Sequence, residues 1–582
     1  MNKMKLVIVE KEKLATTMAA ALGHFTTSTI RAGSSSVRVY NVGNYAILPL
    51  SGHMTNYTTS EKLSKWTDSS ITEILSDPKA LVKEMKAPAY AQAIKQLASS
   101  ASEVVIGCDA DPEGDNIGLE AVEVLRSNKI TKPISRLWLT TTVPADIRAA
   151  FSNLRKFDEN MALSVEARRK LDALVGFPGT RLLTLGYKQE FGNGVVSFGR
   201  VQTATLRILV ERENAIKGFA GKKYWAVEAK VLGTIFRSAG KPFDDKHDAQ
   251  AVFDSVKGAS EFLCKDVKLT SSQMLPPVPM NTTALLKAGS GVLRYTPNEV
   301  LNLAEALYLD AAITYPRVDN QAYSPTFDHT ANLQKLKAGN MGAQIDYILS
   351  KRTVMGKPVF SNGRANPDHE PLTPIRGMSS YKDAKALAVY DLVLRHYLSM
   401  FYPPAKFSGI DVSGQIANQT FVADGKRLAE KGFYEVFYYQ PRLKAIDDFT
   451  RGAVYPVEWV KLVEKTTDPP SRFTESSLIA EMERAGIGTK ATRPSVIETI
   501  KNRNYVTRSS GGTLTPSERG MKLIGLVAKA WPEYTSAEFT ARVEKEMEKV
   551  AQGTASWTDV VNQERNTFLT AVNTLRRGKS PP

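Results

Sequence analysis

The stretch Lys5 to Glu10, KLVIVE, is a short apolar run rich in β-branched residues, closed by an acid. A run this short and this continuously apolar is the pattern of a strand buried on both faces of a parallel sheet. LATTMAAALG follows it with helical character and ends at Gly23, a residue suited to a helix C-terminus. The pattern returns at Val104 to Cys108, ahead of DADPEGDNIGLEAVEVL, and a third strand is expected over Ser135 to Thr140. Strand, loop and helix in repetition call for an α/β domain, here over residues 1–150. In open sheets of this kind ligands sit beyond the carboxyl ends of the strands. Glu10, Asp109, Asp111 and Glu113 all fall at such ends.

Four carboxylates converging on one crevice repel one another unless a cation neutralises them. Oxygen donors alone suit a hard ion, Mg2+ or Ca2+, where zinc would want His or Cys. Two other readings compete. Asp109 to Glu120 approximates a calcium loop, with Gly114 and Glu120 in register, but Glu113 stands where Asp or Asn is expected and a strand precedes the loop. The acids could also merely solvate a turn. A Mg2+ site is the leading expectation.

At 582 residues the chain exceeds a single core and should divide into several domains. Its 76 Lys and Arg against 60 Asp and Glu leave a formal charge of +16, which favours a polyanionic partner. No apolar run approaches the eighteen or so residues of a membrane span, and the N-terminal apolar stretch is too short for a signal peptide. Nucleic acid is therefore preferred to membrane. Cys108 and Cys264 are the only cysteines, which excludes a disulfide framework and a four-cysteine zinc module and points to an intracellular, cytoplasmic protein.

Residues 158–215 read as helical and basic. SVEARRKLDALVGF sets Val165, Leu171, Leu174 and Val175 at helical spacing with Arg168 and Arg169 between them. SFGRVQTATLRILVERE places Arg200, Gln202 and Thr203 after a glycine that could open a helix. Arginines and helix N-termini hold phosphate well, although a solvated helix face accounts for any one of them equally. From Lys222 the text alternates as strands do, and strand-like text returns over Phe407 to Phe437. A sheet domain interrupted by a module over 276–400 is the economical arrangement. That module carries Thr296-Pro-Asn-Glu299, a capping box with Pro at the first helical position, and a helix through Leu309. The helix delivers AAITYPRVDN, in which Pro316 ends the regular structure and leaves Tyr315 and Arg317 at a turn. Tyrosine is a weak nucleophile, its phenol titrating near pH ~10, and a neighbouring guanidinium can favour phenolate while holding a phosphate oxygen. A tyrosine that attacks a phosphodiester competes here with a half-buried tyrosine beside a surface arginine. His369 follows in HEPLTPIR. From Phe473, TESSLIAEMERAG, IGTKATRP and SVIETIKNRNYV read as helix, turn and helix, and RSSGG makes a hairpin wing. The tail, RRGKSPP, is expected to fray.

Together these residues resemble the type IA DNA topoisomerases, especially the topoisomerase III-like members, nearly end to end. The resemblance rests on VIVEK at 7–11, DADPEGDNIG at 109–118, SFGRVQTATL at 197–206, ITYPRVD at 313–319, HEP at 369–371 and the helix-turn-helix text at 473–506. It implies a multidomain α/β and mixed toroid: a TOPRIM domain over 1–150, helical DNA-binding parts over 151–215 and 461–582, a β-rich arch over 216–275 and 401–460, and a tyrosine-bearing domain over 276–400. It implies Tyr315 as the nucleophile forming a 5′-phosphotyrosine and Glu10 as the acid/base residue. Lys11, Arg317 and His369 would hold the scissile phosphate. Asp109, Asp111 and Glu113, with Glu10, would bind Mg2+. Arg168, Arg169, Asp172, Arg200, Gln202, Thr203, Thr489 and Arg493 are the expected DNA-binding set. Single-stranded DNA is the implied partner, with a monomer as the acting form and a helicase or single-strand-binding protein as an associated partner. Pro112, Val318 and Asn320 depart from the family's usual text beside its key side chains, and C-terminal zinc ribbons are missing. A TOPRIM nuclease or primase and a non-catalytic winged-helix DNA-binding protein are the rival readings. No nucleotide-binding GxxxxGK[ST] loop occurs, which argues against a reverse gyrase.

Overall fold

The computed structural model describes residues 4–33, 35–351 and 369–577. Its N-terminal part is a seven-stranded sheet in the order β2-β3-β4-β1-β7-β8-β9, where β1 is Lys5–Val9, β2 Thr26–Ala32, β3 Ser35–Val42, β4 Tyr45–Pro49, β7 Glu103–Ile106, β8 Ile134–Arg136 and β9 Arg155–Lys156. A separate two-stranded ladder pairs β5, Thr55–Thr59, with β6, Leu81–Met85. β4, β1, β7 and β8 run parallel, so their carboxyl ends form one edge. Leu6, Val7, Ile8 and Val9 are all fully buried, because helices cover both faces of the sheet. Apolar burial of this extent is worth roughly 1.5–3 kcal/mol per large side chain, which is why a four-residue run suffices to place Glu10.

The third expected strand is shorter than its text. β8 stops at Arg136, and the chain from Trp138 to Thr142 leaves the sheet to meet the tyrosine-bearing segment. Tyr315 N donates to Thr140 O at 2.9 Å, and Thr142 Oγ1 donates to Tyr308 O at 2.5 Å. Backbone groups that a strand through Thr140 would give to a neighbouring strand are satisfied by another part of the protein.

A closed barrel, β10-β11-β14-β13-β12-β15, is assembled from two stretches of chain. β10 Lys223–Val231, β11 Thr234–Ser238 and β12 Glu261–Met274 come from the first; β13 Ala405–Ile416, β14 Gln419–Glu430 and β15 Val454–Thr466 come from the second. β15 runs six residues past the boundary expected at 460. Phe236, Phe262 and Phe421 fill its interior. The intervening module contains the helix Pro297–Leu309, whose N-cap Thr296 accepts from Glu299 N. The expected reciprocal half of that capping box is not formed, because the Glu299 carboxylate pairs with Lys385 at 2.6 Å. Residues 352–368 of the module lie outside the described residues.

Helices Glu475–Arg484 and Arg493–Asn502 and the hairpin of β16, Val506–Arg508, with β17, Leu514–Pro516, form the helix-turn-helix and wing. The helix Trp557–Arg577 continues to within the expected frayed tail; residues 578–582 lie outside the described residues.

Candidate active site

The site lies where the carboxyl ends of β1 and β7 meet the segment after Leu309. Thr314 and Tyr315 are pinned by their backbones. Thr314 N donates to Thr373 O at 2.9 Å, and Tyr315 N is held by Thr140. The tyrosine thus bridges its own module and the parallel sheet.

Tyr315 is 1% exposed, and its hydroxyl donates to Asp111 Oδ2 at 2.7 Å. Asp111 is in turn the N-cap of the helix Pro112–Ser127, accepting from Gly114 N at 2.8 Å. The phenol's pKa stands well above 10: burial raises it most, Asp111 and Asp109 add to that, and Arg317 only partly opposes them. Arg317 does favour phenolate, as the sequence led one to expect, but it is outweighed in this arrangement. Two carboxylates and a dry setting outweigh one guanidinium.

Arg317 Nη1 lies 3.7 Å from Asp111 Oδ2, and Nη2 donates to Glu305 Oε2 at 3.3 Å. Its Nε is buried without a hydrogen-bond partner, a donor left available for an anion's oxygen. Lys11 Nζ reaches Asp109 Oδ2 at 3.1 Å and Glu10 Oε1 at 3.5 Å, and it also contacts Glu305 Oε1. Burial works against the charge on Lys11, but Asp109, Glu10 and Glu305 outweigh it and hold the ammonium charged. Glu10 is raised to about 7 by burial and by Asp109, against the pull of Lys11. Asp109 is raised by burial and Asp111, despite Lys11 and Arg317. Burial also acts upward on Asp111, yet Arg317, the Tyr315 hydroxyl and Gly114 N–H bring it below the usual carboxylate range. The His369 imidazole lies 5.5 Å from the Tyr315 ring, centroid to centroid and nearly parallel at 28°.

Glu10, Asp109, Asp111 and Glu113 offer oxygen donors only, and two of those oxygens, Asp109 Oδ1 and Glu113 Oε2, are buried without a hydrogen-bond partner. The raised Glu10 and Asp109 likewise mark a cluster short of positive charge. This donor chemistry fits a hard divalent cation, although among the described residues no three His, Cys, Asp or Glu side chains are already gathered closely enough to hold one. The calcium-loop reading fails on geometry: Pro112–Ser127 is helix, and Glu120 is consumed by Met54 N, Thr55 and Arg169. A cleft of about 460 Å3 opens beside the site, lined by Glu10, Lys11, Glu12, Arg38, Ser51 and Tyr90 among others.

The expected DNA-binding residues divide. Arg168 and Arg200 meet at Glu544, and Asp172 joins through Arg200: Arg200 Nη1 lies 3.0 Å from Glu544, Arg200 Nε 3.1 Å from Asp172, and Arg168 Nη2 3.0 Å from Glu544. Arg200 is fully buried and ties its own helix, Arg200–Lys217, to the helices that carry Asp172 and Glu544. Arg169 donates to Glu120 at 2.6 Å and to Thr55 O at 2.7 Å. Gln202 donates to Ser197 at 3.2 Å and accepts from Arg503, and Thr203 is buried beneath Gly199. Thr489 bonds Thr492, and Arg493 donates to the Ile487 and Gly488 carbonyls, each at 3.1 Å.

Three residues at the site escaped the sequence reading. Glu305 clamps both Lys11 and Arg317 from the helix before the tyrosine; its signal was a lone acid among the apolar residues of NLAEALYL. Lys490, from the helix-turn-helix turn, pairs with Asp319 at 2.9 Å. His53 lies between Glu120 at 2.9 Å and Glu113 at 3.7 Å. Burial opposes its proton, but those two carboxylates win and raise it to about 9. Nothing in its local text singled it out.

A parallel sheet with acids at its carboxyl edge, facing a buried tyrosine from an inserted module, defines the class: the Toprim domain model matches residues 5–142 and the DNA topoisomerase model residues 156–562. DNA topoisomerase 1 of Archaeoglobus fulgidus is 31% identical over 97% of this chain and 83% of its own length. Human DNA topoisomerase 3-beta-1 is 29% identical over 97% of this chain and 68% of its own. The solved structure of full-length topoisomerase I from Thermotoga maritima shares the fold at a TM-score of 0.75, with 23% identity, covering 98% of this chain and 90% of that one. The chain belongs to the type IA DNA topoisomerase family and is an isomerase.

Proposed function

We propose that this topoisomerase cuts single-stranded DNA with Tyr315 and reseals it without ATP. The observation that carries the reading is the surroundings of Tyr315 at the carboxyl edge of the sheet beside Glu10 and Lys11: Asp111 accepts its hydroxyl, Arg317 faces that same carboxylate, and the His369 ring lies beside the phenol. Tyr315 Oη forms a bond to phosphorus as the bond from phosphorus to the 3′-oxygen breaks. The hydrogen bond to Asp111 aims the hydroxyl and gives its proton an acceptor. Glu10, neutral over much of the range below pH 7, protonates the departing 3′-oxygen. Arg317, Lys11 and His369 balance charge on the phosphate, where positioned cations act most strongly in a dry site. One phosphodiester is exchanged for another, so resealing reverses these steps with the same residues. Mg2+, held by Asp109, Asp111 and Glu113, with Glu10 joining them only when ionised, would supply positive charge against the DNA backbone.

The residue ranges given from sequence serve as the domain map of this reading: TOPRIM over 1–150, arch over 216–275 and 401–460, tyrosine domain over 276–400, and helical DNA-binding parts over 151–215 and 461–582. Relaxation of negative supercoils or decatenation by a monomer in the nucleoid-containing cytoplasm, in company with a helicase or single-strand-binding protein, completes it. No helix of the described residues is long and apolar enough to cross a membrane. The test is relaxation of negatively supercoiled plasmid without ATP. Wild type should relax it with Mg2+ and Tyr315→Phe should not; a Tyr315→Phe protein that still relaxes would remove the tyrosine from the mechanism.

A further inference from the structure

Trp138, two residues beyond β8, lies against His369: the indole and imidazole centroids are 5.3 Å apart, with planes inclined at 42°. The imidazole is thereby flanked by the indole and by the Tyr315 phenol. Its backbone is anchored separately, since Asn320 Nδ2 donates to His369 O at 2.9 Å. The terminal torsion of a histidine side chain is broad, and two rings packed against the imidazole narrow it.

The indole is itself held by cations. The Arg136 and Arg155 guanidiniums lie 5.0 and 5.2 Å from its centroid. Arg136 is 2% exposed and immobilised by Asp115 at 2.7 Å and by the Cys108 and Asp109 carbonyls at 2.8 and 2.6 Å. The same guanidinium that braces the loop carrying Asp109 therefore braces the indole. Trp138 belongs to the N-terminal α/β part, just past the end of β8, and His369 to the tyrosine-bearing module, so the contact exists only while that module is seated.

We propose that Trp138 is a positioning residue for strand cleavage: it sets the plane of the His369 imidazole for the scissile phosphate. The proposal rests on the reading of His369 as a phosphate-holding group. It has a consequence for order of events, because His369 is aligned only when Tyr315 is docked against the sheet, and cleavage with the module lifted is disfavoured.

The test is single-turnover cleavage of an end-labelled single-stranded oligonucleotide by wild type, Trp138→Ala, Trp138→Phe, His369→Ala and the double variant Trp138→Ala/His369→Ala, with oligonucleotide Kd measured alongside. Trp138→Ala should slow cleavage roughly tenfold, as misorientation of a reacting group does, with Kd unchanged. Trp138→Phe should recover most of the rate, and the double variant should be no slower than His369→Ala. Should Trp138→Ala not fold, Trp138→Leu replaces it, keeping bulk without a ring; it should be slow where Trp138→Phe is fast. Independent, multiplying effects of the two substitutions would overturn the proposal, as would a Kd loss without a rate loss, or a Trp138→Leu as fast as Trp138→Phe. A His369→Ala protein that cleaves at the wild-type rate would instead overturn the reading of His369, and the proposal with it.

Discussion

Replacing Glu10 by Gln should stabilise the metal-free protein above neutrality and leave it unchanged in acid. Glu10 lies almost out of solvent, its side chain 14% exposed, beside a second buried acid, and its pKa stands at about 7 against an ordinary 4.5. The folded state thus binds this proton more tightly than the unfolded chain does. The stability that proton contributes is fully present below about pH 4.5 and is lost as pH rises through about 7. A difference of about 2.5 pH units at ~1.4 kcal/mol each corresponds to ~3 kcal/mol at pH 8. Gln keeps the shape and carries no charge at any pH, so it escapes the loss. For a unit the size of the Toprim part, ~3 kcal/mol raises Tm by roughly 6–12 °C. Calorimetry of wild type and Glu10→Gln in EDTA, at pH 4.5 and pH 8, reads this directly. A Tm gain of equal size at both pH values would refute the argument, because packing rather than ionisation would then be its source. No gain at pH 8 would refute it too.

Other expectations follow from the same geometry. His53, raised to about 9 and partly exposed, contributes stability fully below pH 6.5 and loses it as pH rises through about 9; His53→Gln should therefore lower Tm at pH 6 and leave it unchanged near pH 10. Solvent screening holds this effect to roughly 1–2 kcal/mol. Arg200→Leu leaves Glu544 to Arg168 alone and Asp172, its side chain 43% exposed, to solvent, and should cost about 1–3 kcal/mol in chemical denaturation. Glu305→Ala releases both Lys11 and Arg317 from their shared partner, and single-turnover cleavage should fall about tenfold or more, with oligonucleotide affinity unchanged or higher. Mg2+ should raise the Tm of wild type, and Asp109→Asn combined with Glu113→Gln should abolish that rise. DNA affinity should fall with salt at a slope of about −0.7 per phosphate neutralised, measured by fluorescence anisotropy.

What the chain displays in sequence is what local chemistry controls. KLVIV is β1 and VVI most of β7, which ends at Ile106, two residues short of the expected Cys108, because a short β-branched run has few other uses, and the acids after them had to reach the sheet's carboxyl edge. The helix-turn-helix and the strand text after Lys222 were legible for the same reason. Tyr315 drew notice through Pro316 and Arg317 beside it, and only the family resemblance gave it the expected role of nucleophile. Contacts across the chain were hidden. Glu305, Lys490 and His53 join partners up to 294 residues away in the case of Glu305 and Lys11, and no spacing rule spans such a gap. The early end of β8 was hidden likewise, since Thr140 gives its carbonyl to Tyr315 rather than to a strand. The partners of the basic set were hidden too: Arg168 and Arg200 both pair with Glu544, far along the chain. The phenol's elevated pKa has the same origin, for burial and Asp111 come from the fold, while Arg317 comes from the next residue but one.

The account stands or falls on whether Tyr315 becomes covalently joined to DNA. Single-stranded DNA labelled at either end is incubated with wild type or Tyr315→Phe, quenched with detergent and digested, and the attached peptide is sequenced by mass spectrometry. The predicted result is a fragment joined through its 5′-phosphate to the peptide containing Tyr315, with no adduct from Tyr315→Phe. An adduct on another residue, or free cleaved ends from Tyr315→Phe, would contradict it.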